Sequence, residues 1–324
     1  MSNGTSQGLF IVVAIVIFGL FVGLSYTVFG ENLKPALVGI FGDATEQAQT
    51  SLNKSEMSTW LWVTEHIVNK PDEVIKNLKE KNVKTVYLQI NFDVEYEHYQ
   101  YFIKKARKEG ISVHALGGSP DWVDKDAVTR WALQEDFYNW IRAYQKDVDR
   151  NERFTGLHLD IEPHASQLWG TEPNTLVENY QTATEYALEE SKNLNLPLAL
   201  DIPLWFDEQE FETVYGTGNV YDWLLDIGVK EFGIMAFRDT ADGPNGIVEL
   251  TKTELEKAKD RNVKITISVE TQPFDSANEG LSFSDEGSEF MYDELLKIQN
   301  HYSKNSSLKG FNIHYYDSWM ILKD

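Results

Sequence analysis

From residue 59 onward the sequence alternates between short apolar runs of period two and longer stretches with apolar residues three and four apart. The runs predict strands at 60–64, 85–90, 112–116, 157–162, 198–202, 231–237, 264–270 and 310–316. The stretches between them predict helices at 71–81, 96–108, 125–149, 174–193, 208–227, 252–261 and 284–302. Strand and helix in strict alternation imply parallel strands joined by right-handed crossovers. Eight such units over about 265 residues predict an α/β fold of the (β/α)8 barrel type. A doubly wound open sheet is the competing arrangement, but no Gly-rich phosphate loop follows the first strand.

The pattern before residue 59 is different. Residues 9–29, LFIVVAIVIFGLFVGLSYTVF, carry no charge. They are about as long as a bilayer-spanning helix, so a transmembrane helix is expected. A cleaved signal peptide fits less well, because no Lys or Arg precedes the run and no small-x-small cleavage site follows it. Gly19 and Gly23 form a GxxxG step, the spacing that lets two membrane helices approach and self-associate. Residues 31–53 keep helical composition, with Leu33, Ala36, Leu37 and Ile40 on one side. The expected organisation is a leader and transmembrane helix over 1–30, a helical stalk or linker over 31–58, and the barrel over 59–324.

Composition narrows the partners. The chain has 324 residues, 42% of them hydrophobic and 13% aromatic, enough for a large core. Its 51 acidic residues against 29 basic give a net charge of -22, which repels a phosphate backbone, so nucleic acid is not an expected partner. With no Cys, disulfides and thiolate metal sites are excluded. No HxH or HExxH spacing joins Asp160, Glu162, His164 and His314, and neither a metal nor another cofactor is expected.

A barrel of this type carries its chemistry at the C-terminal strand ends. In the fourth strand, alternation turns Asp160 and Glu162 to one face, with His158 beside them, and Leu157, Leu159 and Ile161 to the other. Two close carboxylates raise one another's pKa, which supplies an acid that stays protonated beside a carboxylate that does not. That is the equipment for glycosidic bond cleavage. The other strand ends offer Trp62, Gln89, Asn91, the 117–122 loop with Trp122, His164, Asp201, Trp205, Arg238, Asp239, Glu270, His314, Tyr315, Tyr316 and Trp319. Aromatic platforms mixed with carboxylates and amides suit sugar rings, whose apolar faces are edged with hydroxyls. Trp122, Trp205, Asp201 and His314 have structural roles open to them as well, as core caps or buried partners.

Thr155-Gly156-Leu157-His158-Leu159-Asp160-Ile161-Glu162 resembles the DGxDxDxE strand of family 18 glycoside hydrolases, the chitinase-like barrels. Thr155 and His158 stand where that pattern has Asp. Met235-Ala236-Phe237 is similar to the family's M-x-Y, with Phe237 replacing Tyr, and Trp319 resembles its terminal Trp. The resemblance implies a barrel in which Glu162 is the general acid and Asp160 holds the substrate's N-acetyl group while that group attacks the anomeric carbon. A second resemblance is to the large clan of retaining (β/α)8 glycosidases: Glu162 ends strand four and Glu270 ends strand seven, which would make Glu270 a nucleophile. That clan has Asn before the acid, whereas Ile161 stands here.

The expectation is therefore a membrane-anchored glycoside hydrolase-like barrel cleaving an extracellular or cell-surface polysaccharide, held single-pass in the cell membrane. Lys34 alone would favour a cytoplasmic barrel, and a polysaccharide substrate an extracellular one. The alternative is a catalytically inactive glycan-binding barrel, or a surface or filament subunit assembling through its N-terminal hydrophobic helix. No Ser-His-Asp or Cys nucleophile pattern supports cleavage of an ester or amide.

Overall fold

The computed structural model describes Leu52, residues 55–274 and residues 279–323. The apolar run at 9–29, the Gly19–Gly23 step and most of the expected stalk lie outside those residues. Among the described residues no helix is long and apolar enough to cross a membrane.

The strands are β1 (Glu56–Leu61), β2 (Val83–Gln89), β3 (Ser112–Gly117), β4 (Gly156–Leu159), β5 (Leu198–Pro203), β6 (Glu210–Thr213), β7 (Gly216–Asn219), β8 (Glu231–Met235), β9 (Lys264–Glu270) and β10 (Leu308–His314). All but β6 and β7 close into one parallel barrel in the order β1-β10-β9-β8-β5-β4-β3-β2. The crossover helices are α1 (Pro71–Glu80), α2 (Tyr96–Lys108), α3 (Ala127–Asp147), α4 (Pro173–Leu194), α5 (Val220–Ile227), α6 (Lys252–Asp260) and α7 (Ser288–His301), and α8 (Tyr316–Met320) follows β10.

Alternation decides which layer each strand residue enters. Leu157, Leu159 and Ile161 join Val86, Leu88, Ile265, Ile267 and Val269 in the continuous apolar core. The barrel interior is instead small and polar. Its apolar part is Trp60, Tyr87 and Leu116. Around them Tyr87 Oη donates to Asn312 Oδ1 at 2.9 Å, and Asn312 Nδ2 donates to Thr266 Oγ1 at 2.8 Å. This network occupies a space most barrels fill with branched aliphatics, and it still leaves His114 Nδ1, His158 Nδ1 and Asp201 Oδ1 without a partner among the described residues.

Three local expectations are corrected. The first strand runs over Glu56–Leu61 rather than 60–64, because Ser58 and Thr59 belong to the sheet: Thr59 Oγ1 donates to the Ile313 carbonyl at 2.8 Å. The expected helix over 208–227 is a β6–β7 hairpin followed by α5. Gly216 and Gly218 at positive φ suit a ribbon, and Asn219 caps α5 by accepting from the Asp222 amide at 2.7 Å. Finally, β4 ends at Leu159, so Asp160 and Glu162 stand on the loop beyond it.

Candidate active site

The chain leaves β4 through a turn in which Glu162 adopts a left-handed backbone, φ 49° and ψ 63°. The loop after β3 meets this turn closely. Gly118 has φ 106°, and a Cβ there would stand 2.6 Å from the Asp160 carbonyl oxygen, so only glycine allows the approach. Between these two loops and the ends of β1, β8 and β10 lies a cavity of about 290 Å³. Its walls are Trp60, Trp62, Gly118, Ser119, Pro120, Asp160, Glu162, Met235, Phe237 and His314.

The carboxyls crowd one end. Asp160 opens part of its surface to the cavity, but its Oδ1 is sealed from solvent with no hydrogen-bond partner among the described residues. Burial pushes its pKa well above the carboxylate range, and the nearby Asp201 and Glu162 push further. Glu162 is raised by burial, with His314 opposing. Asp201 lies beneath, 3% exposed, and is raised by burial against the pull of its hydrogen bond from Trp60 Nε1 at 3.0 Å. His158 Nε2 meets the same Asp201 Oδ2 at 2.6 Å while its ring stacks on Tyr87, centroids 3.6 Å apart. Burial lowers the His158 pKa to about 3. The group thus holds like charges that cannot all be ionised together.

Glu270 stands apart from this cluster. One oxygen accepts from the Thr271 and Gln272 amides at 2.8 and 2.7 Å, and the other meets His314 Nδ1 at 2.6 Å. Trp62 Nε1 reaches His314 Nε2 at 3.1 Å. An indole N–H only donates, so His314 Nε2 accepts and Nδ1 carries the hydrogen toward Glu270. Glu270 therefore orients a cavity wall and does not line the cavity itself.

The remaining candidates scatter. His164 Nε2 lies 3.6 Å from Glu162 Oε1, with its pKa lowered to about 4 by burial, and Trp205 packs edge-on to it with centroids 5.6 Å apart. Gln89 and Asn91 shape the loop after β2: Gln89 Nε2 donates to the Ile90 carbonyl, and Asn91 Oδ1 accepts from the Asp93 amide. Arg238 Nη1 donates to the Phe237 carbonyl and the Asp239 amide to the Gly280 carbonyl, which fixes the loop after β8. Trp122, Tyr316 and Trp319 are core residues outside the cavity. Trp122 packs on Phe137, the Tyr316 hydroxyl accepts from Asn77, and Trp319 is fully buried. Where Trp319 was expected to line the site, His314 and Trp62 do. Trp60 and Met235 are walls that their strand positions alone did not single out. Trp60 carried a signal, since it shares a face with Trp62 two residues on.

No protein-family model matches the sequence, and no curated protein is similar to it. Among solved structures, a family 18 chitinase from Cycas revoluta in complex with (GlcNAc)3 superposes with a TM-score of 0.50 at 14% identity, over 82% of this chain and 96% of that one. The same is true of the Cycas revoluta family 18 chitinase in complex with allosamidin. The fold is a family 18 chitinase-like (β/α)8 barrel. D-psicose 3-epimerase, determined in the presence of D-fructose, superposes equally well, with a TM-score of 0.50 at 8% identity over 81% of this chain and 85% of that one. The shared barrel accordingly does not choose the reaction, and the site must.

Proposed function

We propose that this barrel is a glycoside hydrolase, anchored in the cell membrane through residues 9–29 and acting on an extracellular or cell-surface polysaccharide. The observation that carries the reading is the pairing of Asp160 and Glu162 in one aromatic-walled cavity at the strand ends, both with raised pKa values. Glu162, whose pKa burial raises, donates its proton to the glycosidic oxygen as the bond to the anomeric carbon breaks. Asp160 is the second carboxylate. It steadies the substrate's N-acetyl group while the carbonyl oxygen of that group closes on the anomeric carbon. Glu162, now ionised, then takes a proton from the water that completes hydrolysis. The sugars bound by the Cycas chitinase make N-acetylglucosamine polymers the first substrates to try.

Glu270 is less suited to be the nucleophile, because both its oxygens are already engaged with Thr271, Gln272 and His314. Phe237 favours a second reading. It offers no hydroxyl to the cavity where the family motif has one, which suits a barrel that binds glycan without cleaving it.

The test is hydrolysis of a panel of β-linked polysaccharides, N-acetylglucosamine polymers included, by the full chain beside Glu162→Gln. A loss of about 10²–10⁴-fold in the variant is expected for a general acid. Equal rates in both proteins would sink the assignment. Glycan binding with no hydrolysis in either would select the binding role.

A further inference from the structure

The loop after β5 carries the β6–β7 hairpin, and against α4 and α5 it encloses a second cavity of about 360 Å³. Phe211 closes the floor at 4% exposure. Tyr215 and Trp223, both half-buried, meet edge-on with centroids 5.3 Å apart. The acids of the cavity are mostly neutralised. Asp222 pairs with Lys257 at 2.9 Å and Asp226 with Arg261. Asn219 is bonded to Asp222 through both its oxygen and its nitrogen, and Gln181 Oε1 accepts from Thr213, so what remains for a ligand is neutral hydrogen-bonding chemistry from Gln181 Nε2 and the Thr217 hydroxyl, beside aromatic surface. Exposed Glu210 disfavours an anion. A neutral polyhydroxylated ring satisfies both surfaces, its hydroxyls on Gln181 Nε2 and the Thr217 hydroxyl and its C–H face on the indole.

The position of this cavity adds a second argument. A line of rings joins it to Glu162: Phe211 to Trp169 at 5.7 Å, Trp169 to Trp205 at 5.5 Å, and Trp205 to His164 at 5.6 Å. His164 is 3.6 Å from Glu162. We propose that the hairpin cavity is a second saccharide-binding site, which holds a distal part of the glycan chain whose reacting bond lies at Glu162. The ligand class rests on the carbohydrate reading of the first cavity, and the binding itself requires no catalysis.

The experiment is calorimetric titration of the full chain, in a detergent without a sugar headgroup, with hexasaccharides of β-1,4-linked N-acetylglucosamine, glucose and xylose. All proteins carry Glu162→Gln so that nothing turns over. Trp223→Ala removes the platform. Thr217→Arg fills the cavity from an exposed position and leaves the core intact. Both variants are expected to weaken hexasaccharide binding at least fivefold. In the Glu162 background both are expected to hydrolyse short aryl glycosides within twofold of the parent rate. Unchanged hexasaccharide affinity in both variants, or no binding of any hexasaccharide by the parent, overturns the proposal. If the Glu162 protein hydrolyses nothing while binding still depends on Trp223, the second site stands and the hydrolase reading falls. If it hydrolyses glycan while binding is indifferent to Trp223, the hydrolase reading stands and the second site falls.

Discussion

Asp160, Glu162 and Asp201 tie both activity and stability to pH. For activity, the coupled Asp160–Glu162 pair must hold one proton, so the rate must fall on the alkaline side as the pair loses its last proton and on the acid side as it gains a second, giving a bell-shaped kcat/KM profile. Asp201→Asn takes one acid out of this coupled set, and with it the repulsion on Asp160 wherever Asp201 is ionised. The acid limb is expected to move to lower pH, and a profile identical to the parent's would refute the link. For stability, a buried acid with a raised pKa keeps in the folded state a proton that the unfolded chain releases. Its contribution is complete below the ordinary carboxylate range and is lost as pH rises through the folded value. The histidines oppose this. Burial holds His114 and His158 to about 3 and His164 to about 4, so their contribution is complete above the ordinary histidine range and lost as pH falls. In urea unfolding at a series of pH values, Asp201→Asn should lose less stability than the parent on the alkaline side, by up to about 1.4 kcal/mol per pH unit for the one proton. An equal slope would count against Asp201 as the buried proton holder. The Asp160–Glu162 pair was legible in the sequence as alternation, yet the two reach one cavity because Glu162 turns left-handed after β4 has ended. Glu270 shows the converse. Its place at a strand end was visible, but the folding of its own next two amides back onto it was not.

The strands were legible wherever one side is aliphatic, as at Leu157, Leu159 and Ile161 or Ile265, Ile267 and Val269, since those residues face the helices. They were blurred where the barrel interior is polar, and β1 was displaced because Ser58 and Thr59 do not look like strand core. The hairpin was hidden by charged residues at 207–212 that also suit a helix. Closure of the ring depends on one element contact that no periodicity reveals. β1 meets β10 with Glu56 opposite Gly310, and a Cβ on Gly310 would stand 1.9 Å from the Glu56 carbonyl oxygen. Backbone cannot swing aside as a flexible side chain does. Gly310→Ala is therefore expected to cost about 3 kcal/mol, at the upper end of overpacking penalties, read as a lowered urea midpoint with an unchanged slope. A midpoint equal to the parent's would mean that the seam between β1 and β10 is looser than its register implies.

At the scale of the molecule, the decisive question is what the residues before the barrel contribute. Leu52 is 2% exposed and Met57 is 3% exposed, both in the continuous core, so the folded unit begins before the expected boundary at 59. A chain starting at Ser58 would lose both side chains and the Glu56 pairing with Gly310, and it should lack the cooperative thermal transition that a chain starting at Thr45 retains. Comparable melting of the two would show that Leu52 and the Glu56–Met57 start of β1 are dispensable. The proposed anchor is tested by comparing the full chain with the chain starting at Thr45. With a net charge of -22 the chain is repelled by anionic lipid, so electrostatic adhesion of the barrel cannot hold it at a membrane. On the proposed reading, retention comes from the uncharged run at 9–29, through hydrophobic insertion that salt would not reverse. The full chain is expected in the membrane fraction after a high-salt wash, and the chain from Thr45 in the soluble fraction. Release of the full chain by salt would replace the anchor with a charged partner. Barrel cleavage by protease added to intact cells would fix the outer face, the only one from which Glu162 could meet a cell-surface polysaccharide.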